Sequence, residues 1–371
     1  MRKPSLIALM LALFFVACSA HTPTPSSSGT PSISVTPPVS ASKKPTHVVG
    51  ARFALYVFQN SIWLYDARTN KTRQVTRGGT VRMPRWLDAN HFSFIQGDNS
   101  GAAATLRTVD VKTGTTTDVF TSPTGINVYG WSPDGQTVAY ITTDSAGYPH
   151  LSYRSIDGAT QSVATLARAL GRGANASDET LIQFSKDGAF VLVVYTPADG
   201  TGSAIPPEQS QFQVRASDGS LAFSDETSRE PTMGLFARDG RTVYFRDSGG
   251  VRAWTTTTAL TRTVRKVTWF DPSIAADGSQ IAFDTGMEST KVRVRVLNLR
   301  ALTLQTISGP GRAYPVFAGP RTVWAQEIVA CPGTCLGPTQ ASTRVFSIDT
   351  RTLAERPLPI QSLQDVDVLY Q

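Results

Sequence analysis

"WSPDG" occupies residues 131–135, and close variants of it return three times: "FSKDG" at 184–188, "FARDG" at 236–240 and "IAADG" at 274–278. Asp-Gly pairs favour tight turns, because Asp accepts hydrogen bonds from its own turn and Gly tolerates a positive φ. Each pair follows an apolar residue and precedes a run in which apolar and polar residues alternate, which is typical of a half-buried strand. The pattern therefore indicates an internal repeat built from β-strands.

The repeat unit extends to about four strands in roughly forty residues, since each Asp-Gly turn is followed by two further alternating runs and a closing strand. Comparable units begin near residues 82, 180, 232, 272 and 314. A second marker ends the third strand of six units: Asp66, Asp110, Asp157, Asp218, Asn298 and Asp349. Four-stranded units with this period predict the blades of a β-propeller.

The first unit is incomplete, because "RFALYVF", "SIWLYDAR" and "KTRQVT" supply only three strands. The C-terminal "QDVDVLYQ" reads as a single strand, and we expect it to pair with the first blade and remove a free edge. Residues 50–371 are therefore predicted to form an all-β, seven-bladed propeller of four-stranded antiparallel blades. A six-bladed propeller is the alternative if two of the units merge.

The repeated residues are predicted to be architectural. The apolar residue that opens each motif is expected to wedge between blades: Trp86, Trp131, Phe184, Phe236, Ile274 and Phe317. The Asp-Gly pairs are expected to turn the first strand of a blade into the second, rather than to act as catalytic carboxylates. These pairs are Asp134-Gly135, Asp187-Gly188, Asp239-Gly240 and Asp277-Gly278.

The N-terminal residues carry an export signal. Residues 1–17 are predicted to be a signal peptide, because Arg2 and Lys3 precede an apolar stretch that is too short to span a bilayer. The segment ending at Cys18, "FVAC", resembles the lipobox of bacterial lipoproteins, which implies a diacylglycerol on the Cys18 thiol. The alternative is an ordinary signal peptide cleaved after Ala20.

Residues 18–49 are rich in Ser, Thr and Pro and hold too few apolar residues to form a core, so they are predicted to be a flexible tether. An anchor and a tether together place the propeller outside the cytoplasm, on the outer face of the cytoplasmic membrane or on an outer membrane. Cys331 and Cys335 in "CPGTC" are predicted to form a local disulfide in that oxidising compartment.

The motif of an apolar residue, Ser or Ala, any residue and Asp-Gly, followed by an alternating strand, resembles the propeller repeat of TolB and of prolyl oligopeptidase-type peptidases. The resemblance covers most of residues 50–371 and implies the fold rather than a function. TolB carries a small α/β domain before its propeller, where this chain has the tether. The peptidases carry an α/β-hydrolase domain, and this chain has no GxSxG motif of such a domain.

Chemistry-bearing motifs are scarce. The formal net charge is +7, but the linear sequence contains no dense Lys/Arg run, so nucleic acid is not an expected partner. No P-loop or dinucleotide-binding fingerprint occurs, and the four His residues lack metal-ligand spacing, so neither a cofactor nor a metal is expected. Glu327, at the end of a second strand, either faces the propeller axis or is a surface carboxylate.

A candidate binding face is predicted where the chain enters the first strand of each blade, because these entries crowd around one mouth of the axis. Cationic and aromatic side chains there suit a carboxylate, a glycan or a peptide. The candidates are Arg82, Tyr129, Arg229, Lys266, Trp269, Arg312 and Tyr314. The insertion at residues 197–210 and the Cys331–Cys335 loop are expected on the same face as each other.

These features favour a non-enzymatic, membrane-anchored monomer whose propeller binds an envelope protein or polymer. An axial-site enzyme of the lactonase or lyase kind is one alternative, and it predicts polar residues converging on the axis. A module that senses a ligand for a membrane partner is another. The sequence leaves the partner unidentified.

Overall fold

The computed structural model describes residues 50–97, 102–166, 181–195, 212–224, 233–247, 249–286, 289–331, 339–363 and 365–370. Within these ranges every regular element is a strand, and the strands form seven separate four-stranded antiparallel sheets. The predicted all-β, seven-bladed propeller is therefore confirmed, and the six-bladed alternative is wrong.

The first two blades follow the chain in order. Blade 1 contains β1 (Ala51–Phe58), β2 (Ser61–Asp66) and β3 (Lys71–Gln74). Blade 2 contains β4 (Val81–Trp86), β5 (His91–Gln96), β6 (Ala104–Asp110) and β7 (Thr116–Ser122).

Blades 3, 4 and 5 repeat the same order. Blade 3 contains β8 (Val128–Trp131), β9 (Thr137–Thr143), β10 (Pro149–Ser155) and β11 (Thr160–Thr165). Blade 4 contains β12 (Leu181–Phe184), β13 (Phe190–Val194), β14 (Phe212–Ala216) and β15 (Leu221–Ser224). Blade 5 contains β16 (Gly234–Phe236), β17 (Thr242–Asp247), β18 (Gly250–Thr255) and β19 (Leu260–Arg265).

Blades 6 and 7 are followed by the strand that closes the ring. Blade 6 contains β20 (Phe270–Ile274), β21 (Gln280–Asp284), β22 (Val294–Asn298) and β23 (Leu304–Thr306). Blade 7 contains β24 (Arg312–Gly319), β25 (Thr322–Ala330), β26 (Thr339–Asp349) and β27 (Glu355–Leu358). The last strand, β28 (Asp367–Tyr370), pairs antiparallel with β1 and becomes the first strand of blade 1, as the sequence predicts.

The core is divided into layers between neighbouring blades, because alternating strands present apolar side chains to both faces of each sheet. In β13, Val191 and Val193 pack toward blade 3, whereas Leu192 and Val194 pack toward blade 5. The residue that opens each repeat motif belongs to the layer shared with the preceding blade; Phe317, for example, is fully buried between blades 6 and 7. Stability therefore depends on contacts between blades as much as on pairing within them.

Both repeated Asp markers cap turns. In the Asp-Gly turns, Asp134 accepts a hydrogen bond from the backbone N–H of Gln136 at 3.0 Å, and Gly135 has a φ of 69°. At the end of a third strand, Asp110 accepts from the N–H groups of Lys112 and Thr113, both at 2.8 Å. The same cap occurs at Asp66, Asp157, Asp218, Asn298 and Asp349. These side chains act on their own turns, as Asp and Asn commonly do.

Candidate functional site

The first strands of all seven blades surround a cavity of about 720 Å³. Each of these strands lies at the end of its sheet, so one edge of its backbone faces the axis rather than another strand. The aromatic and sulfur-containing lining residues are Met83, Trp86, Trp131, Phe184, Met233, Tyr314 and Tyr370. The charged and polar ones are Arg82, Arg85, Gln183, Asp271, Ser273, Asp365 and Asp367.

A left-handed residue marks the entry of several of these strands. Met83, Asp271 and Tyr314 have φ values of 52°, 47° and 52°, and each is followed by Pro. The pairing register with the second strand shifts at each of these positions. Pro suits a free edge and a bulge, because it has no N–H to donate. Asp365, with a φ of 52°, precedes β28 in the same way but without Pro. All four residues line the cavity.

Side chains of one blade cap inner-strand N–H groups of the next. The N–H of Trp86 donates to Asp367 Oδ2 at 2.7 Å, that of Phe236 to Gln183 Oε1 at 3.0 Å, and that of Phe317 to Ser273 Oγ at 3.0 Å. An edge strand carries unpaired backbone groups, so these bonds satisfy donors that the sheet cannot.

In blade 3, Gly130 occupies the strand position from which a capping side chain projects in blades 1, 4 and 6. A Cβ there would lie 2.6 Å from the carbonyl oxygen of Ile182, so the close approach of the two inner strands excludes a side chain. The ring around the cavity is thus closed by polar caps at some blade junctions and by direct backbone packing at another.

A second set of caps lies at the left-handed residues. The N–H of Met83 donates to Asp365 Oδ2 at 3.2 Å, and the N–H of Tyr314 donates to Asp284 Oδ2 at 3.0 Å. Asp284 is fully buried and is also hydrogen-bonded to the side chain of Asp271. Both caps therefore fix the backbone where the chain enters a first strand.

Burial controls the titration of the axial carboxyls. Desolvation raises the pKa of Asp367, and the nearby Arg85 guanidinium and the N–H groups of Trp86 and Val368 only partly oppose it. Desolvation also raises the pKa of Asp284, against hydrogen bonds from the N–H groups of Gly286 and Tyr314. These carboxyls retain protons more strongly than exposed ones do.

The substitution Asp367→Asn is expected to stabilise the protein more at pH 8 than at pH 4. The pKa of Asp367 is higher in the folded protein than in the unfolded chain. The wild-type protein therefore loses stability as the pH rises from the unfolded to the folded pKa. Asn avoids that loss and keeps an oxygen for the N–H of Trp86. Urea unfolding of both proteins across this pH range measures the difference.

Asp134→Asn is the control with the opposite sign. The Ser132 hydroxyl and the N–H of Gln136 lower the pKa of Asp134, so its carboxylate contributes stability at neutral pH that is lost as pH falls through the folded pKa. An Asp367→Asn effect that does not change with pH would contradict the assignment.

The described members of the predicted binding face do not converge on one surface. Arg82 is 8% exposed and donates to the carbonyl oxygens of Gly97 at 3.2 Å, Asn127 at 2.9 Å and Ile126. It thereby links blade 2 to the entry of blade 3. Tyr129 is buried as well, and its hydroxyl donates to the carbonyl oxygen of Met83 at 2.7 Å.

Arg312 lies in a charged network within blade 7. Its guanidinium is 2.9 Å from Glu355 and 3.7 Å from Glu327, and it stacks on the ring of Phe346 at 3.8 Å. Glu327 is also paired with Arg344 at 3.2 Å. Glu327 is absent from the cavity lining, so of the two placements that the sequence leaves open, the axial one is not observed.

The remaining described candidates also lie in different parts of the propeller. Trp269 is fully buried between blades 5 and 6, Lys266 is exposed, and Tyr314 lines the cavity. Cys18, Arg229, Cys335 and residues 197–210 lie outside the described residues. The lipid anchor and the Cys331–Cys335 disulfide therefore stay predictions, as does ligand binding by the candidate face.

The sequence reasoning missed the axial carboxyls Asp271, Asp365 and Asp367. One signal was present: Met83-Pro84, Asp271-Pro272 and Tyr314-Pro315 occur at the same position of three repeats. A Pro inside a predicted strand indicates a free edge or a bulge. Since the first strand of a blade is such an edge, the residue before each Pro was a candidate for the cavity wall.

Two further features are absent from the described residues. No group of three or more His, Cys, Asp or Glu side chains in these ranges is placed to hold a metal ion. Nor does any described segment form a helix of the length and apolarity needed to cross a membrane.

Comparison with known proteins shows the fold. Neither a family model nor a curated protein matches the sequence. Among solved structures, an oligogalacturonate lyase in complex with manganese matches with a TM-score of 0.60 and 12% identity, over 79% of this chain and 84% of that one. A prolyl endopeptidase matches with a TM-score of 0.53 and 15% identity, over 88% of this chain and 50% of that one.

TolB from Acinetobacter baumannii is also among the similar structures, with a TM-score of 0.46, 13% identity and coverage of 85% and 81%. The lyase and endopeptidase matches establish a common β-propeller fold and nothing about activity. The predicted propeller fold is confirmed at that level.

Proposed function

We propose that this chain is a non-enzymatic, lipid-anchored protein of the cell envelope whose propeller binds a partner at the axial cavity. The observation that carries the proposal is the cavity itself, about 720 Å³ in volume and lined by the first strands of all seven blades. Concave sites with mixed aromatic and polar walls are where proteins most often bind ligands.

The polar groups of this cavity support binding rather than catalysis. Asp367, Gln183 and Ser273 are each hydrogen-bonded to a backbone N–H of the next blade. Such groups hold the wall in one shape, and a preformed wall reduces the entropy that binding must offset. A general acid or base needs instead a carboxyl free to exchange its proton with a substrate.

Filling the cavity tests the site. Val316→Trp adds an indole ring to the cavity wall, and it is expected to reduce capture of the partner at least tenfold in cells treated with a crosslinker. Thr117→Trp, on the exposed strand β7, is the control and should capture the partner as the wild type does. Equal capture by both variants, with unchanged urea midpoints, would place the partner elsewhere on the molecule.

The anchor is tested separately with Cys18→Ser. If Cys18 carries the lipid, the variant is expected to move from the membrane fraction to the soluble exported fraction, or to accumulate with its signal peptide uncleaved. Mass spectrometry of the mature N-terminal peptide should show the mass of the acyl groups on wild-type Cys18. An unmodified wild-type peptide that begins after Ala20 would overturn the lipoprotein assignment without affecting the cavity.

A further inference from the structure

The blades differ sharply in charge. Residues 233–311, which include blades 5 and 6, contain 11 Lys or Arg and six Asp or Glu, whereas residues 123–232, which include blades 3 and 4, contain six and twelve. Residues 50–122, which include blades 1 and 2, contain nine and five, so blades 5 and 6 carry the larger of two positive excesses, and blades 3 and 4 carry a negative one. The linear sequence shows no dense run of cations, because only Arg265 and Lys266 are adjacent among the 11.

Several carboxyls of blades 5 and 6 do not offset these cations at the surface. Asp284 is fully buried, and Asp271 lines the axial cavity. Asp247 is paired with Arg252 at 3.2 Å. The outer surface of the two blades is thus more positive than their composition indicates.

Six exposed cations form this surface, which we call the basic rim: Arg262, Arg265, Lys266, Lys291, Arg293 and Arg300. Among the residues that the structure describes, no carboxylate lies within ion-pair distance of any of the six. Exposed cations that no carboxylate neutralises remain available to attract an external anion.

Contacts join the two halves of the rim. The guanidinium of Arg265, at the end of β19, donates to the carbonyl oxygen of Leu302 in blade 6 at 3.3 Å, two residues from Arg300. Lys291 and Arg293 lie in the connection between β21 and β22 of the same blade, and Arg293 donates to the carbonyl oxygen of Ser308 at 3.2 Å. The first contact joins blade 5 to blade 6, and the second holds Arg293 within blade 6, at the end of β22 opposite the turn that carries Arg300.

We propose that the basic rim lies against an anionic lipid bilayer and orients the propeller on the membrane. The cations are spread over the outer part of two blades and are absent from the lining of the axial cavity, which fits a broad surface of diffuse negative charge better than a single bound anion. Each cation near an anionic bilayer strengthens its attraction roughly fivefold. The proposal rests on the proposed anchor, since a lipid at Cys18 keeps the propeller within reach of the bilayer.

The lysines of the propeller provide the test. Lys266 and Lys291 lie on the rim, whereas Lys71, Lys112 and Lys186 are exposed on blades 1, 2 and 4. The full chain, purified from bacterial membranes, is mixed with excess vesicles of phosphatidylcholine alone or with equal phosphatidylglycerol. Brief acetylation and mass spectrometry then give the labelling rate of each lysine.

We expect phosphatidylglycerol to slow labelling of Lys266 and Lys291 by about threefold or more, and salt at about 0.5 M to reverse the effect. The other three lysines should label equally on both vesicles. Arg262→Glu with Arg300→Glu should abolish the protection. The matched pair Arg68→Glu with Arg351→Glu, which changes net charge equally at exposed turns, should preserve it.

Equal labelling of the rim lysines on both vesicles, or equal protection of all five lysines, would overturn the proposal. Protection by soluble polyphosphate but not by phosphatidylglycerol would also overturn it and indicate an anionic polymer as the partner. Flotation with neutral vesicles reports the anchor independently. Protein that fails to float on neutral vesicles lacks the anchor. In that case the protection of the rim lysines by anionic vesicles still tests the basic rim by itself.

Discussion

Deleting residues 365–371 is expected to lower the free energy of unfolding by at least about 4 kcal/mol, which is a large part of the stability of an ordinary domain. The deletion removes β28, which pairs with the axial edge of β1. It also removes Asp367, which accepts from the N–H of Trp86 in blade 2, and Tyr370, whose hydroxyl donates to the carbonyl oxygen of Phe317 in blade 7. One short strand thus connects blade 1 to both of its neighbours.

Urea unfolding followed by tryptophan fluorescence measures this loss. Deletion of residues 21–47, in the predicted tether, is the control and should leave the midpoint unchanged. If the C-terminal deletion prevents folding altogether, Tyr370→Phe gives a milder test, because loss of its single hydrogen bond should cost about 1–2 kcal/mol. A truncated protein that unfolds at the wild-type urea concentration would show that the ring does not depend on this closure.

Arg82→Ala is expected to cost about 3 kcal/mol or more. The guanidinium is 8% exposed and donates to the carbonyl oxygens of Gly97, Asn127 and Ile126, so its removal leaves several buried acceptors unpaired. Arg82→Lys should recover only part of the loss, because an ammonium lacks the planar fork of donors.

Arg77→Ala is the matched control, since Arg77 is exposed and its loss should change stability by no more than about 0.5 kcal/mol. The two arginines lie five positions apart, so thermal or urea unfolding of the variants compares a buried link between blades with a solvated cation. A variant at Arg82 that unfolds like the wild type but loses its partner would assign this residue to binding instead.

The architecture follows from local sequence signals. Asp-Gly turns, strand alternation and the Asp or Asn at the end of a third strand are short-range features. The Asp-Gly turn recurs in register in four units, and the Asp or Asn marker in six. Even the closure by β28 is predictable, because an incomplete first blade and a spare last strand imply each other.

The site is less predictable, because it depends on contacts between residues far apart in the chain. Asp367 meets Trp86 only after β28 has joined blade 1, a separation of 281 residues. Arg82 and Trp269 look like binding residues in the sequence, yet the layers between blades bury both of them. The basic rim is invisible for the same reason, since only the packing of β19 against blade 6 brings Arg265 beside the turn that carries Arg300.

The central claim, that the axial cavity holds a partner, is tested most directly by photo-crosslinking in living cells. A benzophenone amino acid replaces Tyr314, which lines the cavity, or Tyr148, which is 43% exposed on a loop of blade 3. The account predicts one major crosslinked envelope component from position 314, none from position 148, and loss of that adduct in the Val316→Trp background. No adduct from position 314 above background, or the same adducts from both positions, would contradict it.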